Sequence, residues 1–245
     1  MSATLFGSPP RGSATGAGTM VPVPSSASSP TSEPDADPHA ESDAESDGGY
    51  VTWPASADKV TLRGWLRQLR RDRVPGRDPA ADARAVALSA LEAAREAGVG
   101  RGDWVAAYES KPTEPPTQAL VAAFLSRGVR VMLPVTLASW DLDWREADGD
   151  GAGGETLGLE AVARASVVFV PAQGVDAHGT RIGQGKGCYD RSLPRTTALL
   201  VAVVHPWEVL AHDLPHEPHD RPVDAVIAAG LGLRRLPPGL PGTAG

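Results

Sequence analysis

The stretch VVFVPAQGVDAHGTRIGQGKGCYD, residues 167–190, shows the clearest structural pattern in the chain. It opens with an apolar run at residues 167–170, continues through a polar, glycine-rich segment, and reaches a helical pattern at residues 189–193. A short, uninterrupted apolar run is typical of a strand that is buried on both faces of a sheet. A glycine-rich segment between such a strand and a helix lies where open α/β sheets bind their ligands.

Apolar runs and helical patterns alternate along the chain on both sides of this stretch. Towards the N-terminus, the helical spacing i, i+3, i+4, i+7 is filled by Leu62, Trp65, Leu66 and Leu69. This spacing predicts an amphipathic helix that starts near residue 56 and ends before Pro75. Further helices are predicted at residues 79–97, 117–128 and 157–165, and further strands at residues 104–108, 129–135, 140–144, 198–204 and 223–228.

Strands that are apolar throughout need helices on both faces of their sheet. We therefore predict a single three-layer α/β domain with a mostly parallel sheet over residues 51–236, followed by a frayed Pro/Gly-rich end at residues 237–245. The strand at residues 223–228 is predicted to be the last, and Thr117 is predicted to cap the helix that it begins. Residues 148–154 and 173–187 are predicted to be loops.

Residues 1–50 differ in composition from the rest of the chain. They hold ten Ser, seven Pro and seven acidic residues against one basic residue, Arg11, and very few branched aliphatic residues. Such a segment cannot bury enough apolar surface to offset the entropy of ordering its backbone. We predict a disordered acidic tail, and whether it binds a partner stays open.

Charge and cysteine content exclude several classes of protein. The tail accounts for most of the net charge of −7, so the predicted domain has no basic excess with which to bind nucleic acid. Cys188 is the single cysteine, which excludes an internal disulfide and a multi-cysteine zinc site. With no apolar stretch long enough to cross a bilayer and no signal pattern, we expect a cytoplasmic monomer that does not bind membranes.

The densest group of special residues lies in the predicted loop. Gly183, Gly185 and Gly187 allow the backbone to approach an anion closely, while Arg181 and Lys186 supply positive charge. The alternate glycines fit neither the Walker A loop nor the dinucleotide-binding fingerprint. The pattern therefore predicts an anion site of another type, and a glycine-rich connector without a ligand is the alternative.

Residues 181–191, RIGQGKGCYDR, closely resemble the R-L-G-x-G-x-G-Y-Y-D signature of the 5-formyltetrahydrofolate cyclo-ligases, also called methenyltetrahydrofolate synthetases. Three other segments resemble landmarks of this family in the family's order: K-x-x-L-R at residues 59–63, E-x-x-T at 114–117, and D-x-x-x-D-x-V at 220–226. The resemblance spans about residues 56–228, and it implies ATP- and Mg²⁺-dependent conversion of 5-formyltetrahydrofolate to 5,10-methenyltetrahydrofolate, ADP and phosphate through a phosphorylated formyl group.

The resemblance also implies roles for individual residues. The residues that it assigns to ATP are Lys59, Arg63, Arg181, Ile182, Gly183, Gln184, Gly185, Lys186, Gly187, Cys188 and Tyr189, and among them Arg181 and Lys186 are expected to be catalytic. Those assigned to the folate are Glu114, Gln184, Gly185, Lys186, Gly187 and Cys188. Mg²⁺ is expected at Asp190 and Asp220, with Asp224 as the next candidate.

Cys188 is where the sequence departs from the family, which usually has a tyrosine at this place. The missing aromatic ring favours an alternative interpretation, a noncatalytic α/β protein that binds a nucleotide or folate and has a regulatory role. A third possibility, an interaction protein recruited through the acidic tail, has only composition in its favour.

Overall fold

A computed structural model describes residues 58–148, 155–217 and 220–237. Several predicted segments lie outside the described residues. Among them are the predicted tail at residues 1–50, the first part of the predicted domain at residues 51–57, most of the loop predicted at residues 148–154, and residues 238–245 of the predicted frayed end.

Four α-helices and nine strands make up the described part of the chain. The helices are α1 (Lys59–Arg73), α2 (Pro79–Glu96), α3 (Gln118–Leu125) and α4 (Cys188–Ser192). The strands are β1 (Trp104–Ala106), β2 (Arg130–Thr136), β3 (Leu142–Glu146), β4 (Ala165–Pro171), β5 (Gly174–Val175), β6 (Arg181–Ile182), β7 (Leu199–Val204), β8 (Ala225–Ala228) and β9 (Gly232–Arg235). None of the described helices is both long enough and apolar enough to span a bilayer.

Seven of these strands form one sheet in the order β3-β2-β1-β4-β7-β8-β9. The five central strands are parallel, and β3 and β9 run antiparallel along the two edges. The prediction of a mostly parallel sheet is confirmed. From β1 the chain moves outward to β2 and β3 and then returns to β4 on the other side of β1, so the connections after β1 and β4 diverge and leave a crevice at the carboxyl ends of these strands.

The core lies on both faces of this sheet. Along β4, Val167 and Phe169 face one side, where α2 and α3 cover the sheet, while Val168 and Val170 face the other. The second side is covered by short 3-10 helices at Leu159–Arg164 and Leu193–Arg195 instead of long helices. The three-layer architecture is therefore confirmed, with one layer built mainly from single turns.

Helix α1 packs across the connections at the carboxyl ends of the strands. Asp58 caps it by accepting a hydrogen bond from the backbone of Thr61, and its apolar face buries Leu62 and Leu66. These side chains pack in a satellite cluster that includes Ile182 of β6, with Leu210 and Leu214. The predicted apolar face is confirmed, and its packing places the neighbouring Arg63 against the glycine-rich segment.

The segment predicted as a loop at residues 173–187 contains a small antiparallel hairpin of β5 and β6. The buried carboxylate of Asp176 shapes its turn by accepting hydrogen bonds from the backbone of His178 and Thr180. Strands of two residues are too short to show an alternating pattern, which is why the prediction was wrong here.

Two further predictions were wrong. Strand β8 is not the last strand, because β9 follows it and pairs with it at the sheet edge. The sequence of β9 contains two arginines and has no apolar run, so it was not recognised as a strand. Thr117 precedes α3 but does not cap it, because its hydroxyl donates to the Tyr108 carbonyl at 2.5 Å and accepts from the Ser110 backbone at 3.2 Å. Thr117 instead joins the end of the connection between β1 and α3 to its beginning at Tyr108 and Ser110.

Gly179→Ala should destabilise the protein. Gly179 has φ +83°, and a Cβ at this position would lie 2.3 Å from the Val223 carbonyl oxygen. Left-handed strain and the backbone clash together predict a loss on the order of 3 kcal/mol in the free energy of unfolding, measured by urea denaturation. The control is Gly64→Ala on the exposed side of α1, where nothing lies within 4 Å and a gain of about 0.5–1 kcal/mol is expected. Equal stability of the two variants would contradict the prediction.

Candidate active site

A cavity of about 390 Å³ occupies the crevice between the ends of β1 and β4. Its walls come from α1, the connection after β1, the β2–β3 hairpin and the glycine-rich segment after β6. Every residue that sequence analysis assigned to ATP, folate or Mg²⁺ lines this cavity: Lys59, Arg63, Glu114, Arg181, Ile182, Gly183, Gln184, Gly185, Lys186, Gly187, Cys188, Tyr189, Asp190 and Asp220. Segments far apart in the chain thus meet in one pocket.

The glycine-rich segment is held under α1 by Arg63. The Nε of Arg63 donates to the Gly183 carbonyl at 3.0 Å. Gly185 and Gly187 have φ +90° and +69°, a backbone conformation that side chains with a Cβ rarely adopt. A Cβ at Gly185 would also lie 3.4 Å from the Arg63 guanidinium carbon. The turn therefore favours glycine at both positions, and a Cβ at Gly185 would be in ordinary contact with Arg63.

Two acid–base pairs flank this segment. Lys59 Nζ contacts Asp220 Oδ2 at 2.8 Å and Glu217 Oε1 at 3.1 Å. Partial burial opposes the charge of Lys59, but the two carboxylates raise its pKa above the ordinary value, so Lys59 is a cation at neutral pH. On the other side, the buried guanidinium of Arg181 binds the Asp190 carboxylate and the Arg221 carbonyl. The pocket thus holds fixed positive charges whose positions are set by neighbouring acids.

Gln184 joins the glycine-rich segment to the connection after β1. Its amide nitrogen donates to Glu114 Oε1 at 2.8 Å, and its amide oxygen accepts from Lys111 Nζ at 2.9 Å. The second oxygen of the buried Glu114 carboxylate accepts from the Lys111 backbone at 2.9 Å. Glu114 is therefore an anchor for both segments, and each of its oxygens is engaged by the protein itself.

Lys186 rests on an aromatic ring from the β2–β3 hairpin. Its ammonium nitrogen lies 3.9 Å from the centroid of the Trp140 ring, within cation–π distance. Trp140 is 42% exposed and has φ +66°, which is unusual for a residue with a side chain. Among the described residues Lys186 has no carboxylate within ion-pair distance, in contrast to Lys59 and Arg181.

Two of the three carboxylates considered for Mg²⁺ line the pocket, and the third does not. Asp190 and Asp220 line the pocket, and the described residues contain no cluster of three or more His, Cys, Asp or Glu. Two carboxylates suit Mg²⁺, which binds proteins through one or two acids and fills its other positions with phosphate oxygens and waters. Asp224 does not line the pocket, because it precedes β8 and accepts from the Leu200 backbone at 2.8 Å.

A buried histidine supports the Glu114 segment from behind. The His205 Nε2 lies 3.2 Å from the carbonyl oxygen of Thr113, and its ring stacks on Trp207 at 4.6 Å between centroids. Burial lowers the pKa of His205 from 6.5 to about 4, so the ring is neutral at pH 7. The neutral ring donates its Nε2–H to the residue that precedes Glu114 and thereby fixes the wall of the pocket.

Sequence reasoning missed several residues that line the cavity, among them Tyr108, Lys111, Trp140 and Gln173. Tyr108 and Gln173 lie two residues past the ends of β1 and β4, and the place of the crevice in this sheet order could have drawn attention to them. Lys111 and Trp140 gave no such signal, since their roles depend on contacts across the pocket.

The residues of this pocket can be compared with known proteins. A model of the 5-formyltetrahydrofolate cyclo-ligase family matches residues 55–229. The chain belongs to this family. Its membership confirms the resemblance found in the sequence and makes the protein a ligase of folate metabolism.

Individual cyclo-ligase relatives agree with this result. A 5-formyltetrahydrofolate cyclo-ligase from Mycolicibacterium smegmatis is 34% identical over 157 residues, which cover 55% of this chain and 78% of the relative. The solved 5,10-methenyltetrahydrofolate synthetase of Mycoplasma pneumoniae has a TM-score of 0.55 and 17% identity, covering 69% of this chain and 98% of its own. The solved 5,10-methenyltetrahydrofolate synthetase of Aquifex aeolicus has a TM-score of 0.53 and 22% identity, covering 73% of this chain and 95% of its own. The two structures show that the fold is shared.

His205 predicts a loss of stability in mild acid. Its pKa is about 4 in the folded chain against 6.5 ordinarily, so between these values the unfolded state binds more protons. The contribution of the neutral His205 ring to the free energy of unfolding is complete above pH 6.5 and is lost as the pH falls to 4. This contribution is on the order of 3 kcal/mol.

Urea unfolding of the wild type and of His205→Gln at pH 7, 5.5 and 4.5 measures this contribution. Gln keeps an N–H donor for Thr113 but does not titrate, so the gap in unfolding free energy between the two proteins should narrow as the pH falls. Parallel pH dependence of the two proteins would contradict the role given to His205.

Proposed function

We propose that the pocket converts 5-formyltetrahydrofolate to 5,10-methenyltetrahydrofolate in an ATP- and Mg²⁺-dependent reaction that releases ADP and phosphate. The observation that supports this most is the composition of the cavity described above. Cationic side chains from α1 and the glycine-rich segment line one wall, and the buried Glu114 anchors a polar wall facing the ends of β1 and β4. One cavity therefore offers surroundings for a polyphosphate and for a flat polar ring.

The cationic wall supports the phosphoryl-transfer half of the reaction. The formyl oxygen attacks the γ-phosphorus, a new O–P bond forms, and the bond from this phosphorus to the ADP oxygen breaks. Positioning and charge neutralisation are the main requirements of such a transfer. Lys59, Arg63 and Arg181 are fixed by their partners and suit the binding of ATP. Lys186, held by the Trp140 ring, can leave it to follow charge on the transferring group.

Mg²⁺ is assigned to Asp190 and Asp220, whose carboxylates both line the pocket. When bound there, the ion would neutralise phosphate oxygens of ATP. In the absence of the ion, Arg181 and Lys59 balance the two carboxylates, so neither acid is an uncompensated charge.

The second half of the reaction closes the ring. N10 of the folate attacks the activated formyl carbon, a C–N bond forms, N10 loses its proton to solvent, and the C–O bond breaks as phosphate leaves. We assign to Lys186 the neutralisation of the departing phosphate. The reaction calls for no protein nucleophile, so the half-buried Cys188 has no covalent role in this proposal.

The assay that tests this proposal follows the ultraviolet absorbance of the methenyl product in a mixture of enzyme, ATP, Mg²⁺ and 5-formyltetrahydrofolate. EDTA should abolish the reaction and excess Mg²⁺ restore it. Lys186→Ala and Arg63→Ala should each lower kcat/KM by about 10²–10³-fold, because each removes a charge from the phosphoryl site.

Arg67→Ala is the matched control for these variants, since Arg67 lies on α1 with Arg63 but is exposed and does not line the pocket. Its rate should equal that of the wild type. A protein that binds folate or ATP and forms no methenyl product would favour the noncatalytic alternative suggested by Cys188.

Cys188→Tyr should improve folate binding. Cys188 begins α4 and lines the pocket, so a tyrosine there would place an aromatic ring beside the folate. Such a contact contributes about 0.5–1.5 kcal/mol, and the KM for 5-formyltetrahydrofolate should fall by roughly three- to tenfold. The KM for ATP should stay within error of the wild type. A higher KM for folate would show that the pocket is shaped around the smaller side chain.

A further inference from the structure

Three residues that line the pocket have a buried polar side-chain atom without a hydrogen-bond partner among the described residues: Tyr189 and, at the floor of the pocket beside the ends of β1 and β4, Tyr108 and Gln173. Tyr108 follows β1 and Gln173 follows β4, and these side chains are only 3% and 5% exposed. The Tyr108 hydroxyl and the Gln173 carboxamide oxygen have no hydrogen-bond partner among the described residues. Buried polar atoms without partners destabilise a folded chain, so several of them lining one cavity call for a ligand that supplies the missing hydrogen bonds.

The neighbouring acid is not the missing partner. The carboxylate of Glu114 accepts hydrogen bonds from Lys111 and Gln184, and the Tyr108 hydroxyl donates none to it. Burial, assisted by the nearby Glu114 carboxylate, raises the pKa of Tyr108 well above its ordinary value. The phenol therefore remains protonated and offers a donor, while the amide oxygen of Gln173 offers an acceptor.

We infer that Tyr108 and Gln173 form a binding subsite for the amino-pyrimidinone edge of the folate's pterin ring. The inference rests on the proposed function, which places a folate in this pocket. This edge carries N–H donors beside a ring carbonyl, so it offers a donor to the Gln173 oxygen and an acceptor to the Tyr108 hydroxyl. The N–H donor and the ring carbonyl both belong to the folate that the family name implies. Tyr108 and Gln173 were not among the residues that the sequence signature assigned to the folate.

The charges in the pocket favour the pterin over ATP as the occupant of this floor. The cations Lys59 and Arg63 lie on α1 at another wall, whereas the floor adjoins the carboxylate of Glu114, which would repel a phosphate. The adenine ring also pairs an amino donor with ring nitrogen acceptors, so the charge of Glu114 disfavours the phosphates of ATP at this floor but not its base. The affinity for ATP is therefore measured beside the affinity for folate.

Tyr108→Phe and Gln173→Leu test the subsite, because each removes the polar atom with little change in shape. For the wild type, both variants and the double variant, calorimetric titration gives the Kd of 5-formyltetrahydrofolate and of ATP, and thermal unfolding without ligand gives Tm. The matched control is Ser192→Ala. Ser192 also has a buried hydroxyl without a partner among the described residues, but it does not line the pocket.

Each pocket variant should raise the Kd of 5-formyltetrahydrofolate by about three- to tenfold, since one hydrogen bond to the ligand is lost. The Kd of ATP should not change, and Tm should stay equal or rise because a buried atom without a partner is removed. Ser192→Ala should change neither Kd. An unchanged folate Kd would overturn the subsite while leaving the proposed function intact, and a raised ATP Kd would assign the floor to adenine. A wild type that fails to bind 5-formyltetrahydrofolate would overturn both.

Discussion

The buried ion pair between Arg70 and Glu208 is the interaction on which the pocket depends. Arg70 Nε and Nη2 bind the two Glu208 oxygens at 2.6 and 3.0 Å, and Nη2 also donates to the Ala172 carbonyl at 2.7 Å. Burial raises the pKa of Glu208, while Arg70 opposes that rise. Glu208 also accepts from the backbone of His205. Loss of either partner would leave a buried charge, at a cost of about 3–5 kcal/mol.

This pair determines where α1 lies relative to the sheet. Ala172 follows β4, and Glu208 belongs to the 3-10 helix Pro206–Glu208 after β7, so Arg70 joins α1 to the ends of two parallel strands. The apolar cluster around Leu66 supports the same placement. Since Lys59 and Arg63 lie on the same helix, their position above the glycine-rich segment follows from a contact two or three turns away.

The sequence predicted the parts of the molecule whose pattern is local. The apolar runs indicated the parallel strands, and the spacing of Leu62 and Leu66 indicated the buried face of α1, because both signals repeat along the chain. The hairpin of β5 and β6 was missed, since its strands have two residues each. The contact of Lys186 with Trp140 and the unpartnered atoms of Tyr108 and Gln173 depend on how separate segments meet, and no periodicity carries that information.

The pairing of Lys59 with Asp220 has a consequence for the order of events during synthesis. These residues are 161 positions apart, near the two ends of the described chain. The pocket wall that they share does not exist until almost the whole domain has left the ribosome. Loop closure over such a distance is entropically costly, and a ligand bound between both residues would stabilise the fully folded chain over any partly folded form. Such a ligand would hold the beginning and the end of the domain together.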